Sequence, residues 1–114
     1  MNVTEHLLTK IAQECAEVAQ RCSKAIEFGL NEIQPGQELD NAQRIIGEMN
    51  DLRAVIEMAE EHGILPIFVR ERENDAFEAK KAKVVKFMSY SREMGMLIDK
   101  LSDIERKYEG STAH

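Results

Sequence analysis

The sequence predicts an all-α fold, and three observations carry that expectation. Residues Thr4 to Phe28 hold neither Gly nor Pro, and apolar side chains recur through them at three- and four-residue spacing. A second stretch of the same character runs from about Leu39 to about Glu61. No segment of useful length alternates apolar and polar residues as a strand does. The 114 residues, 43% hydrophobic and 32% charged, suit one folded domain, 1–114, and not a disordered segment. No apolar run approaches the ~20 residues of a membrane span. Residues Met1 to His6 lack a basic region and a cleavage site, so no signal peptide is expected.

In the first helix Leu8, Ile11, Ala12, Cys15, Val18, Ala19, Cys22, Ala25 and Ile26 form the apolar side. Asn2 or Thr4 can cap its start and Gly29 can end it. Cys15 and Cys22 are expected in the core beside Ile11, Val18 and Ile26. Seven helical residues separate their Cα atoms by ~10.5 Å, too far for a disulfide. Free thiols fit a reducing compartment, the cytoplasm of a cell or an infected host. Asn31 to Gln37 is a polar connector with a Pro35-Gly36 turn.

The second helix places Ala42, Ile45, Ile46, Met49, Leu52, Ile56 and Ala59 on one side, with Gly63 and Pro66 closing it. Gly47 in its interior serves either close helix approach or room for a ligand. Ile64 to Arg70 is irregular. A third helix is expected from about Asp75 to Tyr90, with Phe77, Val84, Val85, Met88 and Ser91 on one side. Gly95 interrupts it. A C-terminal amphipathic helix, about 96–108, carries Leu97, Leu101, Ile104 and Tyr108, and the tail 109–114 is expected to fray. The architecture is a helical bundle built on a two-helix hairpin plus a third core helix. The C-terminal apolar stripe exceeds what a monomer needs, which predicts a homodimer or a homotetramer.

Fifteen Lys and Arg against 21 Asp and Glu leave a net charge of −6, which disfavours nucleic acid as a partner. An anionic small molecule would need a cation or a local basic patch. Both have candidates. Glu14 and Glu17 on the first helix, and Glu48 and Asp51 on the second, are acid pairs at i, i+3. Glu14 and Glu48 flank the apolar stripes, with Glu17 and Asp51 one step further toward solvent. Packed as a hairpin, the helices bring the four carboxylates together, and such a cluster favours a hard divalent cation. Surface ion pairs Lys10–Glu14, Glu17–Arg21 and Arg44–Glu48 are the competing explanation. Lys83, Lys86 and Tyr90 share a face of the third helix, near Lys80 and Lys81. They form a basic patch that meets phosphate or simply keeps the helix solvated. Arg21, Lys24 and Arg44 extend the acid-bearing faces and are further phosphate candidates. Phe28 can stack on a base, and Asn50 can read a base edge.

Gln13-Glu14-Cys15-Ala16-Glu17-Val18-Ala19 and Ile46-Gly47-Glu48-Met49-Asn50-Asp51-Leu52 resemble the ExxE…ExxD signature of MazG-like nucleoside triphosphate pyrophosphohydrolases. Lys80 to Tyr90 resembles the third core helix of small stand-alone members, a kind often carried by phages. The resemblance covers about residues 5–92. It departs from the fuller EExxE pattern at Gln13, and the connector is long. It implies Mg²⁺-dependent hydrolysis of an NTP or dNTP to the monophosphate and pyrophosphate, with Mn²⁺ as a substitute ion. Glu14, Glu17, Glu48 and Asp51 would hold the metal, and Glu17 and Glu48 would be catalytic. Arg21, Lys24, Arg44, Lys83 and Lys86 would meet the phosphates. Phe28, Asn50 and Tyr90 would meet the base. The rival expectation is a non-catalytic helical interaction module, or a nucleotide-binding relative with little turnover.

Overall fold

A computed structural model describes residues 1–108. Its regular elements are α1 (Val3–Phe28), α2 (Asn41–Glu61), α3 (Arg70–Glu93) and α4 (Asp103–Tyr108), with no strand among the described residues. The chain divides into two compact units, one from Met1 to Ile67 and one from Phe68 onward.

The first unit is the hairpin of α1 and α2. Asn2 caps α1, its Oδ1 accepting from Glu5 N at 2.8 Å. Gly29 ends α1 at φ 97°, a conformation that side chains with a Cβ rarely adopt, and its N–H donates to Ala25 O. The connector then turns at Pro35-Gly36, where Gln37 N donates to Gln34 O at 2.9 Å and Gly36 takes φ 87°. Pro followed by a positive-φ Gly is the pair a type II turn uses. Asp40 and Gln43 open α2 with a capping box, each side chain accepting from the other's backbone N–H. Asn41, 2% exposed, ties the two helix ends together. Its Nδ2 donates to Gly29 O at 2.8 Å and to Glu32 Oε1 at 2.9 Å. The end of α1 therefore meets the start of α2, and the helices run antiparallel.

The seam that α1 turns inward is Leu7, Ile11, Glu14, Val18, Arg21 and Ala25, all buried or half-buried. This corrects the expectation for Cys15, Cys22 and Ile26. Both thiols are free and exposed, and Ile26 is 86% exposed. The physical reason is that α1 carries two parallel rows at alternating three- and four-residue spacing, and α2 covers only one. The other row, Leu8, Ala12, Cys15, Ala19, Cys22 and Ile26, faces outward. On α2, Ala59 is fully buried and Ala42, Ile45, Leu52 and Ile56 are half-buried, whereas Ile46 and Met49 are exposed. A Cβ on Gly47 would meet nothing within 4 Å, so α1 does not press on it.

In the second unit α3 starts at Arg70, five residues before the expected Asp75. Its first turns, Arg70 to Asn74, have no apolar period to reveal them. They are held instead by helix-forming charged residues, with Glu71 and Glu73 placed favourably at the positive end of the helix dipole. The expected C-terminal helix is shortened to Asp103–Tyr108. Ser102 and Glu105 explain its start, because Ser102 Oγ accepts from Glu105 N and Glu105 Oε1 accepts from Ser102 N, each at 3.3 Å. Glu105, 1% exposed, takes both Nη atoms of Arg92 from α3, one at 2.7 Å. Arg92 Nε also donates to Asp99 O at 2.7 Å. The Tyr108 hydroxyl donates to Glu78. A charged pair and a tyrosine thus fasten α4 to α3. The apolar stripe expected there is incomplete, since Ile104 is 65% exposed. The tail 109–114 lies outside the described residues.

Candidate functional site

Antiparallel packing sets residue 14 of α1 beside residues 48 and 51 of α2. One carboxylate oxygen each from Glu14, Glu48 and Asp51 lie within 4.8 Å of one another. Glu14 and Glu48 are half-buried and Asp51 is exposed. Glu14 lies in the inward seam of α1, and of the two i, i+3 pairs only Glu48 and Asp51 enter the group together. Glu17, the fourth expected acid, is exposed on the next turn and outside this group.

Three carboxylates this close repel unless something compensates them. The ion pairs that offered the competing explanation are absent. Among the described residues, Lys10, Arg21 and Arg44 form no ion pair with Glu14, Glu17 or Glu48. Arg44 is turned the other way, its Nη1 donating to Gln34 Oε1 at 3.0 Å. The donor set suits Mg²⁺, a hard ion that takes carboxylate oxygens. Oxygens bound at about 2.1 Å to one centre lie at most about 4.2 Å apart, so the trio, now within 4.8 Å, would have to draw slightly closer to hold such an ion.

Two turns along α1 a second feature opens. Arg21, Lys24, Phe28, Glu32, Gln34 and Asn41 line a cleft of about 390 Å³ at the connector end of the hairpin. Arg21 Nη1 is shut off from water and has no hydrogen-bond partner. The Lys24 ammonium stands 5.6 Å from the centre of the Phe28 ring. Asn50 is exposed on α2, apart from this wall. The sequence reading missed Glu32, Gln34 and Asn41. Their signals were the Pro-Gly turn, which folds the connector back, and an Asn directly after the cap of α2.

In the second unit, Lys83 and Lys86 line a cleft of about 540 Å³ with Glu78, Phe87 and Tyr108. Tyr90 is exposed on the same helix. The Tyr108 hydroxyl holds the Glu78 carboxyl below its usual range, and Glu78 in turn raises the tyrosine. Hydrogen bonds from Arg92 hold Glu105 down at about 2. Both carboxylates are therefore fixed negative at neutral pH and serve the attachment of α4.

No helix among the described residues is long and apolar enough to cross a membrane. Comparisons with known protein families, with curated proteins and with solved structures give no match.

Proposed function

We propose that the chain is a Mg²⁺-dependent nucleoside triphosphate pyrophosphohydrolase. The observation that carries this reading is the convergence of Glu14, Glu48 and Asp51 across the hairpin without a compensating cation. The resemblance of the two acid-bearing segments to the MazG-like signature supports the same conclusion.

On this reading Glu14, Glu48 and Asp51 would hold the metal, with Glu17 one turn along α1 outside the group. Bound Mg²⁺, or Mn²⁺ in its place, supplies polarisation of the phosphoryl oxygens and an acidified water as nucleophile. Glu17 is exposed one turn from Glu14, where its carboxylate can orient that water or take its proton. Cations of the same hairpin, Arg21, Lys24 and Arg44, would neutralise the leaving pyrophosphate, whereas Lys83 and Lys86 belong to the second unit. The outward row of α1 from Leu8 to Ile26 supports a homodimer or homotetramer, because an apolar row of that length is ordinarily covered. A monomeric mass at micromolar concentration in light scattering would refute that assembly. A cytoplasmic setting fits the two unpaired thiols.

The test is an incubation with each common NTP and dNTP, with Mg²⁺ and with EDTA, separating pyrophosphate from orthophosphate. Monophosphate and pyrophosphate formed only with Mg²⁺ is the expected result. Glu48→Gln should abolish that product while leaving the helical circular dichroism intact. An absence of product from every nucleotide would favour the interaction module.

A further inference from the structure

The cleft at the connector end of the hairpin has the chemistry of an anion site. Arg21 and Lys24 bring two positive charges to its wall, and neither is paired with a described acid. Glu32, the acid in the same wall, already accepts from Asn41 Nδ2 at 2.9 Å. The donor Arg21 Nη1 has no partner at all. A guanidinium donor withdrawn from water without an acceptor is unfavourable, and an oxyanion is the acceptor that best relieves it. Arg44 adds a third cation behind the cleft through its bond to Gln34, which occupies the amide oxygen and leaves the amide nitrogen as a donor.

Position relates this cleft to the carboxylates. Arg21 follows Glu14 by seven residues, which is about 20° short of two full turns and about 10.5 Å along the axis. Both side chains belong to the inward seam of α1. Arg21 and Lys24 both line the cleft, with the Lys24 ammonium over the Phe28 ring. For a triphosphate held at the carboxylates, Arg21 would be the next cation along that seam. A base is the poorer occupant, because the Lys24 ammonium already covers the Phe28 ring.

We infer that the cleft of Arg21, Lys24, Gln34 and Asn41 is a subsite for the terminal phosphates of the substrate, the part that leaves as pyrophosphate. This rests on the pyrophosphohydrolase reading for its place in a reaction, but its binding chemistry stands apart from catalysis. On this inference the protein distinguishes a triphosphate from a diphosphate, since a diphosphate lacks the terminal phosphate that the subsite would hold. Phe28 then serves as the wall that orients Lys24, and not as a base platform.

The experiment is calorimetric titration of the whole protein with inorganic pyrophosphate in EDTA, so that neither metal nor turnover takes part. Wild type is expected to bind. Arg21→Gln and Lys24→Gln should each weaken binding about 10- to 100-fold, the worth of one hydrogen bond to a charged group. Glu48→Gln should bind at least as well as wild type. Lys24→Gln also guards against a folding artefact in the Arg21 variant, and both are checked by circular dichroism. Absence of pyrophosphate binding by wild type, or equal binding by wild type and both cleft variants, overturns the inference. Hydrolysis of triphosphates that survives in both cleft variants with unchanged KM overturns it as well, while leaving the pyrophosphohydrolase reading standing.

Discussion

Glu48→Gln separates a metal site from a solvated acidic surface through the sign of its effect on stability. The oxygens of Glu14, Glu48 and Asp51 lie within 4.8 Å of one another, and Glu48 takes part in two of the three pairs. Unit charges at that distance repel by about 0.9 kcal/mol in the dielectric of water. Physiological salt, with a Debye length of about 8 Å, reduces this to roughly half. Removing two such repulsions should stabilise the metal-free hairpin by about 1 kcal/mol. For a unit of this size that is about 4–8 °C in melting temperature. Glu48 has no ion pair among the described residues, so no compensating attraction is lost. With Mg²⁺ the order should invert. Wild type gains about 2.7 kcal/mol at an ion concentration 100 times its Kd, and the variant gains far less. The assay is a thermal melt by circular dichroism with EDTA and across a Mg²⁺ series. A variant that melts lower than wild type in EDTA, and keeps the full Mg²⁺ shift, would refute the reasoning.

Three further outcomes are expected. Val85 is 2% exposed, and Val85→Ala removes about two methylene equivalents, so chemical denaturation should show a loss of about 1.6 kcal/mol. Glu105 sits at about 2 because Arg92 bonds it, against an ordinary 4.5 in the unfolded chain. Its contribution is therefore complete above about pH 4.5 and lost as pH falls toward 2. Denaturation midpoints across that window should slope for wild type and slope less for Glu105→Gln, with Glu78 supplying part of what remains. Gly47→Ala should raise the melting temperature by up to the equivalent of about 1 kcal/mol, because the new Cβ meets nothing within 4 Å. Lower turnover in the same protein would show that the space at Gly47 belongs to a ligand.

Much of the local structure was legible along the chain. The periodicity of α1 and α2, the Asn2 cap, the Gly29 stop and the Pro35-Gly36 turn depend on neighbours within one or two turns, so sequence spacing encodes them directly. The convergence of Glu14, Glu48 and Asp51 was legible for the same reason once a hairpin was expected. The early start of α3 was hidden because charged residues form helix without an apolar period to mark it. The short α4 was hidden because its start depends on Ser102 and Glu105 capping each other while Arg92 holds Glu105 from another helix.

By itself the sequence determined the helical class, the helix ends set by local caps, and the i, i+3 placement of the acids. Only the tertiary structure decided which of the two rows on α1 turns inward. It placed Glu14 and Arg21 in that seam and left Cys15, Cys22 and Ile26 outside. It also folded Gln34 and Asn41 against Arg21 to make the cleft. Both rows have the same spacing, and the outward row is the more apolar one because the inward row carries Glu14 and Arg21, so local polarity points to the wrong row. The contacts by which Asn41 joins Gly29 and Glu32 likewise exist only once the connector has closed.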